Sequence, residues 1–241
     1  MKNHVSGKSR IGLLVSMTAA IAASAVVAWF YFGRVQEPSS GGAAPAALPD
    51  FQATRTKAEA GDAEAAQLLA EIYVEGKQVR QDYYEAAYWY RKAADKGIVK
   101  AQYNLAELYD IGQGIARDQH QAASWYLKAA EQGDVNAQYT LAGMYGVGRA
   151  VALDPKEALK WYHRAAEQGD ELARYNLAER YERGRDVIQD DVEAYKWHSL
   201  AADKGLADAA QGRDRVKRRL TPELLAEARR RIQEFKAKHG D

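Results

Sequence analysis

Apolar residues recur along most of the chain with the spacing of amphipathic helices. Ala101, Leu105 and Leu108 fall at i, i+4 and i+7, which places them on one face of a first helix. Trp89 follows Ala86 by three residues, as a large residue beside a small one on one face of a second helix. Both patterns return every 36 residues. They predict an all-α protein, an α/α superhelical solenoid of helix-turn-helix repeats.

Glycines mark the boundaries of the repeats. They stand 36 residues apart, at Gly61, Gly97, Gly133, Gly169 and Gly205. The intervals define four repeats, 61–96, 97–132, 133–168 and 169–204. Each repeat contributes one tryptophan to a shared column, Trp89, Trp125, Trp161 and Trp197. Because one hairpin cannot bury both of its faces, we expect these tryptophans to lie in a core formed by stacked repeats.

An acidic residue precedes each second helix and predicts how that helix begins. The residues are Asp82, Asp118, Asp154 and Asp190. Three positions later stands Glu85, Gln121, Glu157 or Glu193. Asp is a favoured N-cap residue, and Glu or Gln at the third helical position can bond back to the cap in a capping box. We therefore expect both halves of that reciprocal pair.

Shorter segments flank the four repeats. Residues 51–60 read as an N-terminal half-repeat cap, and residues 205–241 read as C-terminal basic capping helices. Within the second segment, Thr221 followed by Pro222 is typical of a helix start. Terminal helices with a polar outer side shield the open ends of a solenoid.

The first 50 residues lack the repeat pattern. Residues 11–32 form a run of 22 residues without a formal charge, which as a helix spans about 33 Å, enough for the core of a bilayer. Basic residues precede it, so the positive-inside rule predicts a cytoplasmic segment at 1–10 and a transmembrane signal-anchor helix at 11–32. Small residues at 19–25 leave a cleaved signal peptide as the alternative. Residues 33–50, rich in Pro, Gly and Ala, are typical of a flexible linker.

The repeats resemble the Sel-one-like repeat family, a branch of the tetratricopeptide-like helical repeats. Residues 97–132 follow its pattern, A-x-x-x-L-A-x-x-Y-x-x-G and then D-x-x-E-A-x-x-W-Y-x-x-A-A-x-x-G, with Gln121 at the Glu position. In that family the repeats stack into a right-handed superhelix with a concave groove and serve as adaptors and scaffolds. Some bacterial members carry disulfides between paired helices. This chain has no cysteine and departs from them.

The resemblance also implies where a protein or peptide ligand would bind. In tetratricopeptide-like solenoids, first-helix positions outside the core line the groove. The corresponding positions here are Tyr103, Asn104, Glu107, Tyr139, Thr140, Tyr175, Asn176 and Glu179. Their hydroxyl, amide and carboxylate groups can hydrogen-bond an extended or helical peptide. The alternative interpretation is that the Tyr-Asn pairs belong to the structural framework of the repeat.

Charge is distributed unevenly along the chain. Residues 51–204 carry a net charge of −5, and residues 205–241 carry +4. Two clusters dominate the basic end, Lys217, Arg218 and Arg219, and Arg229, Arg230 and Arg231. They are a candidate docking surface for an acidic partner, nucleic acid or an anionic lipid, and the simpler interpretation is a solvated capping face. No nucleic-acid partner is expected, because the repeats are predicted to lie outside the cytoplasm.

Motifs of catalysis are absent from the sequence. The five histidines show no metal-ligand spacing, and HExxH, a phosphate-binding glycine loop and GxSxG do not occur. We assign no catalytic, cofactor-binding or metal-binding residue. The resulting hypothesis is a non-enzymatic scaffold of the bacterial inner membrane, with periplasmic repeats that support cell-envelope assembly or signalling. The alternatives are a soluble periplasmic or secreted adaptor, including a host-interaction factor, and third, a hydrolase that acts in the groove on an envelope polymer.

Overall fold

A computed structural model describes residues 50–240 of the 241-residue chain. The expected cytoplasmic segment at 1–10, the expected transmembrane helix at 11–32 and nearly all of the expected linker at 33–50 lie outside the described residues. Across residues 50–240, none of the helices has both the length and the apolar character that crossing a membrane requires.

Eleven α-helices and no strand occupy residues 50–240. They are α1 (Phe51–Glu59), α2 (Ala63–Glu75), α3 (Tyr83–Asp95), α4 (Val99–Ile111), α5 (Gln119–Glu131), α6 (Val135–Val147), α7 (Pro155–Glu167), α8 (Glu171–Arg183), α9 (Asp191–Asp203), α10 (Ala207–Lys217) and α11 (Pro222–His239). Helices α2 to α9 form four hairpins, α2–α3, α4–α5, α6–α7 and α8–α9, and the second helix of each hairpin packs against the first helix of the next. The expected all-helical solenoid is confirmed.

The core is repeated as the sequence predicts. The four tryptophans of the shared column are all buried, from 8% exposed at Trp89 to 2% at Trp197. A leucine of each first helix is excluded from solvent beside them, and these residues are Leu69, Leu105, Leu141 and Leu177. Small alanines such as Ala93 and Ala129, which are completely buried, let the helices approach closely. Each repeat therefore contributes the same large and small side chains to one continuous core.

At the start of each second helix, the predicted Asp N-cap is confirmed, but the predicted return bond of the capping box is wrong. Asp118 is the N-cap of α5, and its Oδ1 accepts hydrogen bonds from the backbone N–H groups of His120 and Gln121, both at 3.0 Å. The backbone N–H of Asp118, however, donates to the carbonyl of Tyr109 at 3.0 Å. The loop from α4 thus brings a backbone acceptor to the donor that the capping box would use, and Gln121 does not complete it. The same bond recurs at Asp82, Asp154 and Asp190, with the carbonyls of Tyr73, Tyr145 and Tyr181.

Buried glutamines connect successive repeats. Gln102 of α4 donates from Nε2 to the carbonyl of Ala94 in the preceding repeat, at 3.2 Å, and Gln138 of α6 donates to Ala130, at 3.1 Å. In α8 the corresponding residue is Arg174, whose Nε donates to Ala166 at 3.0 Å. Each of these carbonyls also accepts from the backbone N–H of the glycine three residues later, so the side chain adds a second hydrogen bond that joins one repeat to the next.

Helices α10 and α11 cover the C-terminal side of the last repeat. Both pack against α9, and the ring of Phe235 lies edge-on to Trp197 with centroids 5.2 Å apart. Thr221 caps α11 by accepting from the N–H of Leu224, and Pro222 occupies the first helical position. The tryptophan column ends at Trp197, and Phe235 of the terminal segment supplies the aromatic contact beyond it.

Candidate functional site

The expected groove residues lie on three successive first helices, α4, α6 and α8, and all eight are half-buried. We refer to this set as the first-helix face. It consists of Tyr103, Asn104, Glu107, Tyr139, Thr140, Tyr175, Asn176 and Glu179. The 36-residue repeat brings them together because equivalent turns of equivalent helices occupy the same side of the stack.

The tyrosines of the first-helix face rest on aromatic rings of the second helices. The centroids of Tyr103 and Tyr126 are 5.5 Å apart, and those of Tyr139 and Tyr162 are 5.8 Å apart. Tyr175 lies 5.7 Å from the imidazole of His198, which replaces tyrosine in the fourth repeat. One side of each tyrosine therefore supports the hairpin, while the residue keeps part of its surface exposed.

Polar groups of the first-helix face also interact with one another. The Tyr103 hydroxyl donates to Glu107 Oε1 at 3.1 Å, one turn along α4. Asn176 Nδ2 lies 2.9 Å from the carbonyl of Leu172 and 3.5 Å from the Tyr139 hydroxyl, which links α8 to α6. The first-helix face is thus partly organised before any ligand binds, which reduces the entropic cost of binding.

Glu107 is the most unusual carboxylate of this face. Burial raises the pKa of Glu107, the hydrogen bond from Tyr103 opposes that rise, and the nearby carboxylates of Asp110 and Asp134 add to it. A half-buried carboxylate among other carboxylates is stabilised by an additional positive charge or hydrogen-bond donor. Such a group can select a basic ligand.

The basic residues of the C-terminal end do not form one uniform surface. Lys217, Arg218 and Arg229 are exposed. Arg230 forms ion pairs with Glu227 and Glu234 of its own helix.

Two further arginines from these clusters point toward the repeats. Arg219 binds Asp191 at 2.7 Å and Glu182 at 3.1 Å, and Arg231 binds Glu193 at 2.8 Å. Part of the positive charge therefore attaches the capping segment to α8 and α9, although Arg219 remains exposed.

A buried ionic cluster joins α8, α9 and α10, and sequence reasoning did not find it. Glu182 is 8% exposed, and both of its oxygens accept from Arg215, at 2.7 Å each. The fully buried His198 contributes Nε2, 3.2 Å from Glu182 Oε2. The only sequence signal was the replacement of tyrosine by histidine at position 198, since the partners are 16 and 33 residues apart from Glu182.

The electrostatics of this cluster follow from its contacts. The hydrogen bonds from Arg215 are the largest of the effects that lower the pKa of Glu182 to about 2. Burial lowers the pKa of His198, although the neighbouring carboxylate of Glu182 partly opposes that effect. At neutral pH the cluster therefore contains an ionised Glu182, charged arginines and a neutral His198.

The same cluster holds a group of possible metal ligands. Ligand atoms of Glu179, Glu182 and His198 lie within 4.8 Å of one another. Arg215 and Arg219 already bind the Glu182 carboxylate, and a dication would have to displace at least one of them. These contacts fit an ion-pair joint between helices better than a metal centre.

Comparisons with known proteins agree with the repeat architecture. The model of the Sel1 repeat family matches residues 63–98, 99–134, 135–170 and 172–206. The comparison with curated proteins returns no match. A crystal structure of a Sel1 repeat protein from Oxalobacter formigenes is 34% identical, with a TM-score of 0.63, and the match covers 66% of this chain and 65% of that one.

Two further solved structures are more distant. A protective antigen of uropathogenic Escherichia coli that displays an SLR fold is 27% identical, with a TM-score of 0.43 over 78% of this chain and 56% of that one. The cysteine rich protein B of Helicobacter pylori is 22% identical, with a TM-score of 0.41 over 51% of this chain and 87% of that one. This chain thus spans about two thirds or less of the length of the first two structures.

Proposed function

Because the chain belongs to the Sel1 repeat family, whose members are scaffolds that bind protein partners, we propose that its first-helix face is the groove that holds such a partner. The observation that carries this proposal is the placement of eight half-buried polar and aromatic residues on one side of α4, α6 and α8. Aromatic and amide side chains with fixed positions bind a peptide at low entropic cost. No catalytic role is proposed for any of them.

The proposal places this scaffold at the bacterial inner membrane. The 22 uncharged residues at 11–32, preceded by basic residues, support a single-pass helix with a cytoplasmic N-terminus and periplasmic repeats. A role in cell-envelope assembly or signalling would follow from that position. If the segment is instead removed as a signal peptide, for which the small residues at 19–25 provide a reason, the same groove would act in a soluble periplasmic or secreted adaptor.

Site-specific photocrosslinking of the full chain in its own cells tests the groove. A photoreactive amino acid at Thr140 of the first-helix face is expected to capture a defined protein band. The control is the same amino acid at Tyr84, which is 72% exposed on the second helix α3. Equal capture from both positions, or capture from neither, would contradict binding at the first-helix face.

The same cells test the anchor. Mass spectrometry of the mature N-terminus and alkaline extraction of membranes should find residues 11–32 retained and the chain in the membrane fraction. A mature chain that starts near residue 25 would contradict the anchor and support the soluble adaptor, without changing the expectation for the groove.

A further inference from the structure

One position of the first helix carries a different type of side chain in different repeats, and we call the five equivalent positions a row. Its members are spaced by 36 residues and are Glu71, Glu107, Gly143, Glu179 and Arg215. Two of the carboxylates are neutralised by cations of this chain. Lys100 Nζ lies 2.7 Å from Glu71 Oε1, and Arg215 Nη2 lies 3.1 Å from Glu179 Oε1.

Glu107 differs from those two equivalents. Its contact is the hydrogen bond from Tyr103 at 3.1 Å, and among residues 50–240 no lysine or arginine forms an ion pair with it. The burial that raises the pKa of Glu107 also makes its ionised form costly. A cation placed beside it would therefore be bound more strongly than one at an exposed carboxylate.

Gly143, the next member of the row, leaves the corresponding space open. A Cβ atom built on Gly143 would meet a single atom within 4 Å, the Tyr162 hydroxyl at 3.9 Å. At the C-terminal end of the same row, Arg215 occupies the position that follows Glu179 and binds it. Arg215 thus shows that a cation at one position of the row can bind the carboxylate of the preceding repeat. At position 143 the residue is glycine, so the chain supplies no such cation for Glu107.

Arg180 approaches the same region from another side and is already engaged. Its guanidinium lies 5.1 Å from the ring centroid of Tyr162 and forms an ion pair with Asp186. Asp110, the other carboxylate on the C-terminal turn of α4, is bound by Arg149 at 3.1 Å. Of these neighbouring acidic groups, Glu107 is the one left for a cation from outside.

We propose that the space beside Gly143 accepts a lysine or arginine side chain of the protein partner, with the charged group facing Glu107. Tyr139 stands one helical turn before Gly143 in α6, and its ring packs on Tyr162 at 5.8 Å, so it would add a surface for the aliphatic part of that side chain. The inference rests on the proposed function and deepens it, because it states the chemistry that the groove selects. It identifies the partner as a protein with a basic side chain in its bound segment.

Selection from a random dodecapeptide library displayed on phage tests this preference. The bait is the full chain in lipid nanodiscs. Peptides retained by the unchanged chain should be enriched in Lys or Arg at one aligned position. Replacing that residue by norleucine or citrulline in a synthetic peptide should weaken binding about tenfold or more, as expected when a buried charge pair loses one partner.

Four variants separate the proposed contact from general effects of charge. Glu107→Gln and Gly143→Arg should abolish the enrichment, the first by removing the carboxylate and the second by supplying a cation from the chain itself. Glu71→Gln and Glu157→Gln are the matched controls and should preserve it, since these carboxylates lie outside the proposed contact and already bind Lys100 and Lys160.

The test of the basic preference is independent of the test of the proposed groove. Retained peptides without a basic preference, retention of the preference in Glu107→Gln, or no retained peptide at all would overturn the inference. Photocrosslinking at Thr140 would still show whether the first-helix face binds a protein. If that position captures nothing while basic peptides are selected at Glu107, the proposed function fails and the local preference stands.

Discussion

Two glycines inside helices illustrate how strongly single positions depend on their surroundings. Gly143 in α6 faces open space apart from the Tyr162 hydroxyl. Gly212 in α10 lies against the fully buried imidazole of His198, and an added Cβ would stand 2.3 Å from its Cε1 atom. Neither glycine is needed for an unusual backbone angle, since both have ordinary helical conformations. The space around each one decides the effect of substitution.

Alanine should therefore have opposite effects at these two positions. Gly143→Ala is expected to raise the free energy of unfolding by about 0.5–1 kcal/mol, because alanine favours the helix more than glycine does. Gly212→Ala is expected to lower it by about 1–3 kcal/mol, because the methyl group overpacks the contact with His198. Urea unfolding of both variants beside the unchanged chain measures the difference. A stabilised Gly212→Ala would show that α10 can move away from His198 at little cost.

At the scale of the helices, the aspartate N-caps make a contribution to stability that can be predicted from the sequence. Asp118→Ala should destabilise the protein by about 1 kcal/mol, because two N–H groups at the start of α5 lose the acceptor that Asp118 Oδ1 provides. Gln121→Ala should change stability little, because Gln121 is exposed and the N–H of Asp118 donates to Tyr109 instead. Thermal unfolding of the two variants distinguishes a one-sided cap from a capping box, which would give comparable losses.

The same helices show which features a single sequence can predict. Helix positions, the tryptophan core and the Asp caps follow from local periodicity and from side chains that bond within three residues, so the pattern contains them. The acceptor for the Asp118 N–H depends on the path of a loop, and the partners of Arg219 and Arg231 lie 28 to 38 residues away. Because such contacts depend on how neighbouring hairpins stack, spacing along the chain does not reveal them.

The first-helix face illustrates the same limit in finer detail. The resemblance placed its eight residues on first helices, and the structure places them on α4, α6 and α8. Which carboxylates are neutralised could not be predicted, since Lys100, 29 residues from Glu71, and Arg215, 36 residues from Glu179, come from neighbouring units. Only these contacts reveal that Glu107, unlike Glu71 and Glu179, forms no ion pair with a lysine or arginine of residues 50–240.

At the scale of the whole repeat array, the main contacts are between neighbouring helices, so the terminal helices are held chiefly by their contacts with the last repeat. At the C-terminal end these contacts include the ion-pair joint at Glu182, bound by Arg215, Arg219 and His198. The pKa of Glu182 in the folded protein, about 2, lies below its usual value of 4.5. The unfolded chain therefore takes up the proton first, and the stabilisation present above pH 4.5 is lost as the pH falls toward 2.

Acid should consequently release α10 and α11 before it unfolds the N-terminal repeats. The lowered pKa of His198 acts in the same direction, because below pH 6.5 its protonation also favours the unfolded state. Hydrogen exchange followed by mass spectrometry, expressed as protection factors between pH 6 and pH 3, should show protection falling earlier in α11 than in α2. Glu182→Gln should lower the protection of α11 already at pH 6 and flatten its pH dependence below pH 4.5, since the carboxylate that titrates there is gone.

A matched variant separates this joint from acid effects on the rest of the array. Glu157 binds Lys160 within α7, where both side chains are more than a third exposed, so Glu157→Gln should leave the order of release unchanged. Simultaneous loss of protection in α2 and α11 would contradict a local joint and indicate that the array unfolds as one cooperative unit. Because a solenoid propagates stability only through adjacent interfaces, the order in which its helices open measures how much the Glu182 cluster contributes at that end.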